Sequence, residues 1–199
     1  MRIVGGTHRG RPIAAPADNT TRPTIDRVRE SLFNMLLHAP ALMTDAGKTR
    51  LDGGIVLDPF GGSGALSFEA LSRGAHHAYL FEIDPAARRI ILRNAETLDM
   101  ARQITLRAAD ALHPGPAPAE EQHMADLVLM DPPYRSGIGP QALSALTRNG
   151  WLKPDALVVV ETDARKGSAE GSFAIPPGFA LLEERQQGPA RLTFLLRER

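Results

Sequence analysis

Four consecutive residues, Asp131-Pro132-Pro133-Tyr134, have the types and order to do chemistry. They follow the apolar run Leu127-Val128-Leu129-Met130, which reads as a buried strand. Two prolines in succession fix φ and donate no backbone hydrogen bond, so they make a rigid turn that presents carbonyl acceptors. An exocyclic amine conjugated to a base ring is a poor nucleophile. The Asp131 carboxylate and the Pro132 carbonyl could each accept one of its N–H bonds, aligning the nitrogen with an electrophilic methyl and taking up the charge that develops. Tyr134 offers a ring on which a flipped-out base could stack. Asp-Pro is also a common turn dipeptide, so the tetrapeptide draws its weight from its place after a strand.

A second cluster lies upstream. Asp58-Pro59-Phe60-Gly61-Gly62-Ser63-Gly64 falls between an expected strand and an expected helix, the setting in which a glycine loop brings backbone close to a ligand. Glu82 lies eighteen residues beyond Gly64, at the end of the next strand, where a carboxylate grips ribose hydroxyls. Both a dinucleotide and S-adenosylmethionine fit such an arrangement. Ser67 stands where the dinucleotide fingerprint has its third glycine, and a carboxylate at Asp58 would repel a pyrophosphate but pair with the methionine ammonium. S-adenosylmethionine is therefore the favoured cofactor. Asp110, after the third strand, either accepts from the adenine amino group or caps a helix. Phe60, Ile83 and Ala111, neighbours of these carboxylates, complete the cofactor-binding set.

The elements that must position these groups alternate. Short apolar runs at 55–57, 78–81, 104–106, 126–130 and 157–160 read as strands, with helices over 65–73, about 85–98 and 141–147 between them. Asp84-Pro85 supplies an N-cap with proline at the first helical position, and Gly74 a C-terminal cap. Strict alternation implies right-handed βαβ units and a parallel sheet, closed by an antiparallel hairpin over 179–185 and 191–196. The expected fold class is α/β, a Rossmann-like, mostly parallel seven-stranded sheet. A helix over 26–37, capped by Thr24, precedes it, with Val28, Leu32, Phe33 and Leu36 at helical spacing. The Pro- and Ala-rich stretch 113–122 is expected to be a flexible, exposed loop. The chain divides into a basic N-terminal arm or hairpin, 1–24, and a catalytic domain, 25–199.

The 199 residues contain no cysteine, which excludes a disulfide framework and thiolate metal sites; His76-His77 lack ligand spacing, and no metal is expected. No signal sequence and no apolar run near membrane-spanning length is visible, so a soluble cytoplasmic protein is expected, working as a monomer and without membrane contact. Net charge is zero, yet the first 29 residues hold Arg2, Arg9, Arg11, Arg22, Arg27 and Arg29 against only Asp18 and Asp26. Such a segment is either an ordinary solvated arm or an electrostatic footprint for nucleic acid, with Arg9, Arg11, Arg22 and Arg27 as candidate RNA contacts. Arg27 and Glu30 either line the cofactor cleft or pair on the surface, the second reading being preferred.

Five segments together carry a resemblance: Met1-Arg2-Ile3-Val4-Gly5-Gly6, Arg22-Pro23-Thr24 with Asp26-Arg27-Val28-Arg29-Glu30, the 57–66 glycine loop, Glu69-Ala70-Leu71-Ser72-Arg73-Gly74-Ala75, and Asp131 to Tyr134. The chain resembles the bacterial 16S rRNA guanine-N2 methyltransferases of the RsmD type over nearly its whole length. The first two segments are more specific than the methyltransferase motifs, which many families share. The resemblance implies a class I methyltransferase fold with S-adenosylmethionine as donor. It implies a guanine of 16S rRNA as target, in the small ribosomal subunit or an assembly intermediate. Asp58, Gly62 and Gly64 would serve the methionine moiety, Glu82 the ribose, Asp110 the adenine, and Asp131 to Tyr134 the target base. The glycine loop departs from the family's usual pattern at Pro59 and Gly61 without losing a candidate ligand group. The competing readings are a DNA amino-methyltransferase, which would normally need a larger recognition domain, and a non-catalytic RNA-binding assembly factor, which would have no need of the Asp131 turn.

Overall fold

The computed structural model describes residues 1–15, 23–133, 137–164 and 173–198. Arg22 and Tyr134 lie outside the described residues, as does the side chain of Thr24.

Seven strands form one sheet: β1 Ile55–Asp58, β2 His77–Phe81, β3 Ile104–Arg107, β4 Ala125–Met130, β5 Leu152–Asp163, β6 Phe179–Gln187 and β7 Ala190–Arg197, in the order β3-β2-β1-β4-β5-β7-β6. β1 to β5 pair in parallel, and β7 runs antiparallel to both β5 and β6. This is the expected mostly parallel sheet with its antiparallel finish.

The helices are α1 Pro23–His38, α2 Ala65–Ser72, α3 Pro85–Thr97 and α4 Gly139–Arg148. Alternate residues of each central strand feed opposite faces, since the side-chain period is two. Val56, Leu80, Leu127, Leu129 and Val159 join α1, α2 and α3 in one core; Leu57, Phe81, Val128, Met130 and Val160 join α4 and Trp151 in the other. Right-handed crossovers explain the segregation. From β1 the chain steps outward through α2 and α3 to β3, then returns to the other side of β1 and steps the opposite way through α4, which must cover the opposite face. The reversal leaves a crevice between the carboxyl ends of β1 and β4.

Several boundaries differ from expectation. α1 starts at Pro23, so Thr24 falls in its first turn instead of capping it. β5 starts at Leu152, five residues before the apolar run, and the extra length is absorbed by a register shift opposite Ala125–Leu127. The stretch after β3 is not simply exposed: the Trp151 indole donates to Gly115 O at 2.9 Å, and Ala117 N donates to Asn149 O at 2.9 Å. The Asp84 cap is as expected, accepting from Ala86 N and Ala87 N.

The N-terminal segment is part of the core. Ile3 and Ile13 are buried, the backbone of 1–13 folds back on itself through Ile3 N to Arg11 O and Ile13 N to Met1 O, and Val4 N donates to Glu69 on α2.

Candidate active site

Asp58 ends β1 and is buried. Its Oδ2 accepts from the Ser67 hydroxyl at 3.0 Å and its Oδ1 from Phe60 N at 3.3 Å. Loss of solvation pushes its carboxyl up to about 7 against those two hydrogen bonds, and the negative charges of Asp131 and Glu82 push the same way. No cation figures among the groups that act on Asp58.

The glycine loop is pinned to the end of β2. Gly61 N donates to Phe81 O at 2.9 Å, and Gly62 N to Glu82 Oε2 at 2.8 Å. Glu82 Oε1 accepts from Asp84 N, so the carboxylate is held from both sides while each oxygen keeps a further lone pair. Gly64 opens α2 at φ +79°, where an added Cβ would stand 2.5 Å from Phe68. That position requires glycine. Asn94, buried on α3, donates to Ser63 O at 2.9 Å and to Ala14 O at 3.0 Å, and accepts from Ala14 N at 2.8 Å. It ties the loop to the N-terminal segment.

Pairing of β4 with β1, with Leu57 opposite Val128, brings the Asp131 turn to this loop. Asp58, Phe60, Gly62 and Asp131 line one cavity of about 220 Å³, with Met1, Arg29 and Glu161. Asp131 and Pro133 are exposed, whereas Pro132 is buried and anchors the turn. Glu82, Ile83, Asp110 and Ala111 extend the same sheet edge past β2 and β3 and are not part of the cavity wall. Ile83 is 67% exposed, an apolar shelf beside the Glu82 carboxylate. Asp110 accepts from Leu112 N at 2.9 Å and lies 3.4 Å from His113, so it does hold its own turn; Ala111 is buried.

The candidate RNA contacts separate. Arg9 is exposed, at the turn of the N-terminal segment. Arg11 is engaged: its guanidinium donates to Thr97 O and lies 3.5 Å from Asp99. Arg27 and Glu30 are both exposed and line an open groove of about 580 Å³ on α1 with Asn34 and His38, and neither lines the cofactor cavity. Among the described residues no ion pair joins them, so the expected surface pair is absent as well. Among the described residues no group of histidines and carboxylates has the geometry to hold a metal, and no helix is long and apolar enough to cross a membrane.

Two residues of the cavity wall escaped the sequence reading although a signal existed. Arg29 is buried, not part of a basic surface. It lies on the apolar stripe of α1, four residues before Phe33 and seven before Leu36, which a helical projection reveals. Glu161 follows the apolar run of β5 just as Asp131 follows that of β4. Met1 had no such signal.

The sheet order, the reversal between β1 and β4 and the glycine loop beside it define a class I methyltransferase fold. The chain belongs to the family described as "Conserved hypothetical protein 95", whose model matches residues 1–196, the RsmD family anticipated from the sequence. It is 36% identical over 200 residues to "Ribosomal RNA small subunit methyltransferase D" of Escherichia coli strain K12, covering 100% of this chain and 90% of that one. The protein of that name from Haemophilus influenzae is 35% identical over 192 residues, covering 94% and 89%. Among solved structures, "Putative methyltransferase yhhF from Escherichia coli" superposes with a TM-score of 0.76 at 32% identity, covering 100% of this chain and 98% of that one.

Proposed function

We propose that this protein transfers a methyl group from S-adenosylmethionine to the exocyclic N2 amine of a guanine in 16S rRNA. The observation that carries the reading is the convergence of Asp131 with Asp58 and Gly62 on one cavity at the switch point of the sheet. The relatives' names support methylation of small-subunit rRNA. The guanine N2 position rests on the resemblance and on the chemistry of the Asp131 turn.

The cofactor fits the residues present. Asp58 is a buried carboxylate with no cation beside it, and the ammonium of the methionine moiety supplies one. Glu82 keeps lone pairs for ribose hydroxyls, Ile83 offers an apolar face to the adenine, and Asp110 and Ala111 flank its edge. The bound cofactor contributes an activated methyl on a sulfonium. Asp131 and the Pro132 carbonyl each accept an N–H of the target amine, so its lone pair points at that methyl and the cation forming on nitrogen meets a carboxylate. As the N–C bond forms the C–S bond breaks, and the amine then loses one proton. Tyr134 is assigned the stacking surface for the base. RNA contacts are assigned to Arg9, Arg11, Arg22 and Arg27, the substrate being the small subunit or an assembly intermediate.

Mass spectrometry of 16S rRNA nucleosides from cells with and without the gene tests the reading. Loss of one N2-methylguanosine, restored by the purified protein on small subunits, is the expected result. Loss of a methyl on a different atom would leave rRNA methylation standing and overturn the N2 assignment.

A further inference from the structure

Three of the resembling segments, 2–6, 26–30 and 69–75, play no part in the chemistry above, yet the fold brings them to one place. Glu69, fully buried on α2, accepts from Val4 N at 2.8 Å and from Arg73 Nε at 2.7 Å, and its Oε2 lies 3.7 Å from Arg29 Nε. Arg29 Nη2 donates to Asp26 Oδ1 at 2.8 Å and to Arg2 O at 2.6 Å, and Asp26 lies 3.7 Å from the Arg2 guanidinium. The ion pairs thus run Arg2–Asp26–Arg29–Glu69–Arg73: three cations and two anions, with one positive charge in excess.

Arg29 sits at the middle of this chain with only 4% of its surface exposed, and it lines the cavity. Its Nε is buried without a hydrogen bond, and Nη1 takes part in none of the contacts just given. A buried guanidinium with donors to spare is costly unless an anion completes it. The carboxylates on the cavity wall do not serve: no bond joins Arg29 to Asp58, Asp131 or Glu161 among the described residues. The cavity therefore holds two incomplete charges of opposite sign, the Asp58 carboxylate and the Arg29 guanidinium.

We infer that Arg29 binds the carboxylate of the cofactor's amino-acid end, while Asp58 takes its ammonium. A zwitterionic α-amino acid satisfies both groups at once, and the N-terminal segment with Glu69 serves to hold the guanidinium in place. The inference rests on the cofactor reading above and adds the residue that reads the carboxylate.

The test is calorimetric titration of the full-length protein with three nucleosides: S-adenosylhomocysteine, its decarboxylated analogue and methylthioadenosine, which lacks the amino-acid end. The wild type is expected to bind S-adenosylhomocysteine about ten- to a hundredfold tighter than the decarboxylated analogue, the worth of one charge-assisted contact. Arg29→Gln should lose that preference and bind methylthioadenosine as the wild type does. A preference that survives in Arg29→Gln assigns the carboxylate to another group and overturns the inference. Equal weakening of all three ligands overturns it too, by marking Arg29 as structural. Should Arg29→Gln fail to fold, Arg29→Lys and the wild type decide: a wild type indifferent to the carboxylate sinks the inference unaided. A wild type that binds none of the three would instead remove the cofactor reading beneath it.

Discussion

Asp58 and Asp131 face the same cavity in opposite circumstances, and their roles separate by experiment. Asp131 is exposed and Asp58 is buried. Asp131→Ala is expected to slow methyl transfer by roughly a hundred- to a thousandfold, the cost of losing one well-placed electrostatic contact. Cofactor affinity should hold within about twofold, because the charge of Asp131 raises the carboxyl of Asp58 and its removal only eases ionisation there. Single-turnover rates beside equilibrium titration measure both, and parallel loss would show Asp131 to serve folding. Asp58 has its carboxyl raised from 3.8 to about 7, so below pH 7 the free protein carries it largely protonated. Binding an ammonium requires the carboxylate. Affinity for S-adenosylhomocysteine should climb between pH 6 and 8 with proton release, and Asp58→Asn should flatten that profile, as calorimetry in two buffers reports. The same shift acts on stability. Between pH 4 and 7 the folded state binds more protons at Asp58 than the unfolded chain, so its contribution is present below pH 4 and lost as pH rises through 7. Asp58→Asn should therefore gain melting temperature relative to wild type at pH 8 more than at pH 5, in the absence of cofactor.

At the scale of elements, the pairing of the N-terminal segment with α2 is the feature that spacing alone does not disclose. Gly6 has φ +72°, and a Cβ there would stand 1.9 Å from the carbonyl oxygen of Ser72. Gly10 has φ +86° with nothing within 4 Å. Gly6→Ala is expected to cost roughly 3 kcal/mol, since backbone must shift, and Gly10→Ala only about 1 kcal/mol for its left-handed φ. In a protein of this size these correspond to melting shifts of roughly 6–12 °C and 2–4 °C. Similar shifts for the two would mean the Gly6–Ser72 contact yields easily. Strands and helices of the central sheet were legible because apolar runs of strand length alternate with helical stripes and glycine or Asp-Pro punctuation. The start of β5 was not: residues 152–156 interrupt an apolar pattern with Lys153, Pro154 and Asp155, and they join the sheet only because β4 offers a partner edge. The stretch after β3 reads as a loop and is one, yet it packs because Trp151 needs an acceptor for its indole N–H.

For the whole molecule, the open question is whether the basic N-terminal segment can act as an arm independent of the rest. Its burial says otherwise. Removing residues 1–13 would strip Ile3 and Ile13 from the core and leave Glu69 without its bond from Val4 N. Such a truncation is expected to lose cooperative unfolding by circular dichroism, not merely RNA binding; a sharp melt would show the segment to be an accessory. Substitution of surface arginines is the gentler probe. Arg9→Ala should lower the slope of log affinity for RNA against log salt by about 0.7–0.9, while Arg11→Ala, which also breaks the contacts to Thr97 and Asp99, should cost stability as well. An unchanged salt slope in Arg9→Ala would remove that residue from the RNA surface.

By itself the sequence determined the order and type of the elements, the glycine loop, the acceptor turn at Asp131 and the family that these segments resemble, because each is written in contiguous residues whose spacing matches a local geometry. The tertiary structure alone decided which of these meet. Adjacency of β4 to β1 put Asp131 beside Asp58, and packing of the N-terminal segment on α2 turned Arg29 inward to a cavity no local pattern describes. The physical reason is range: periodicity and caps act within a few residues, whereas a buried charge is placed by partners 27 and 65 positions away along the chain.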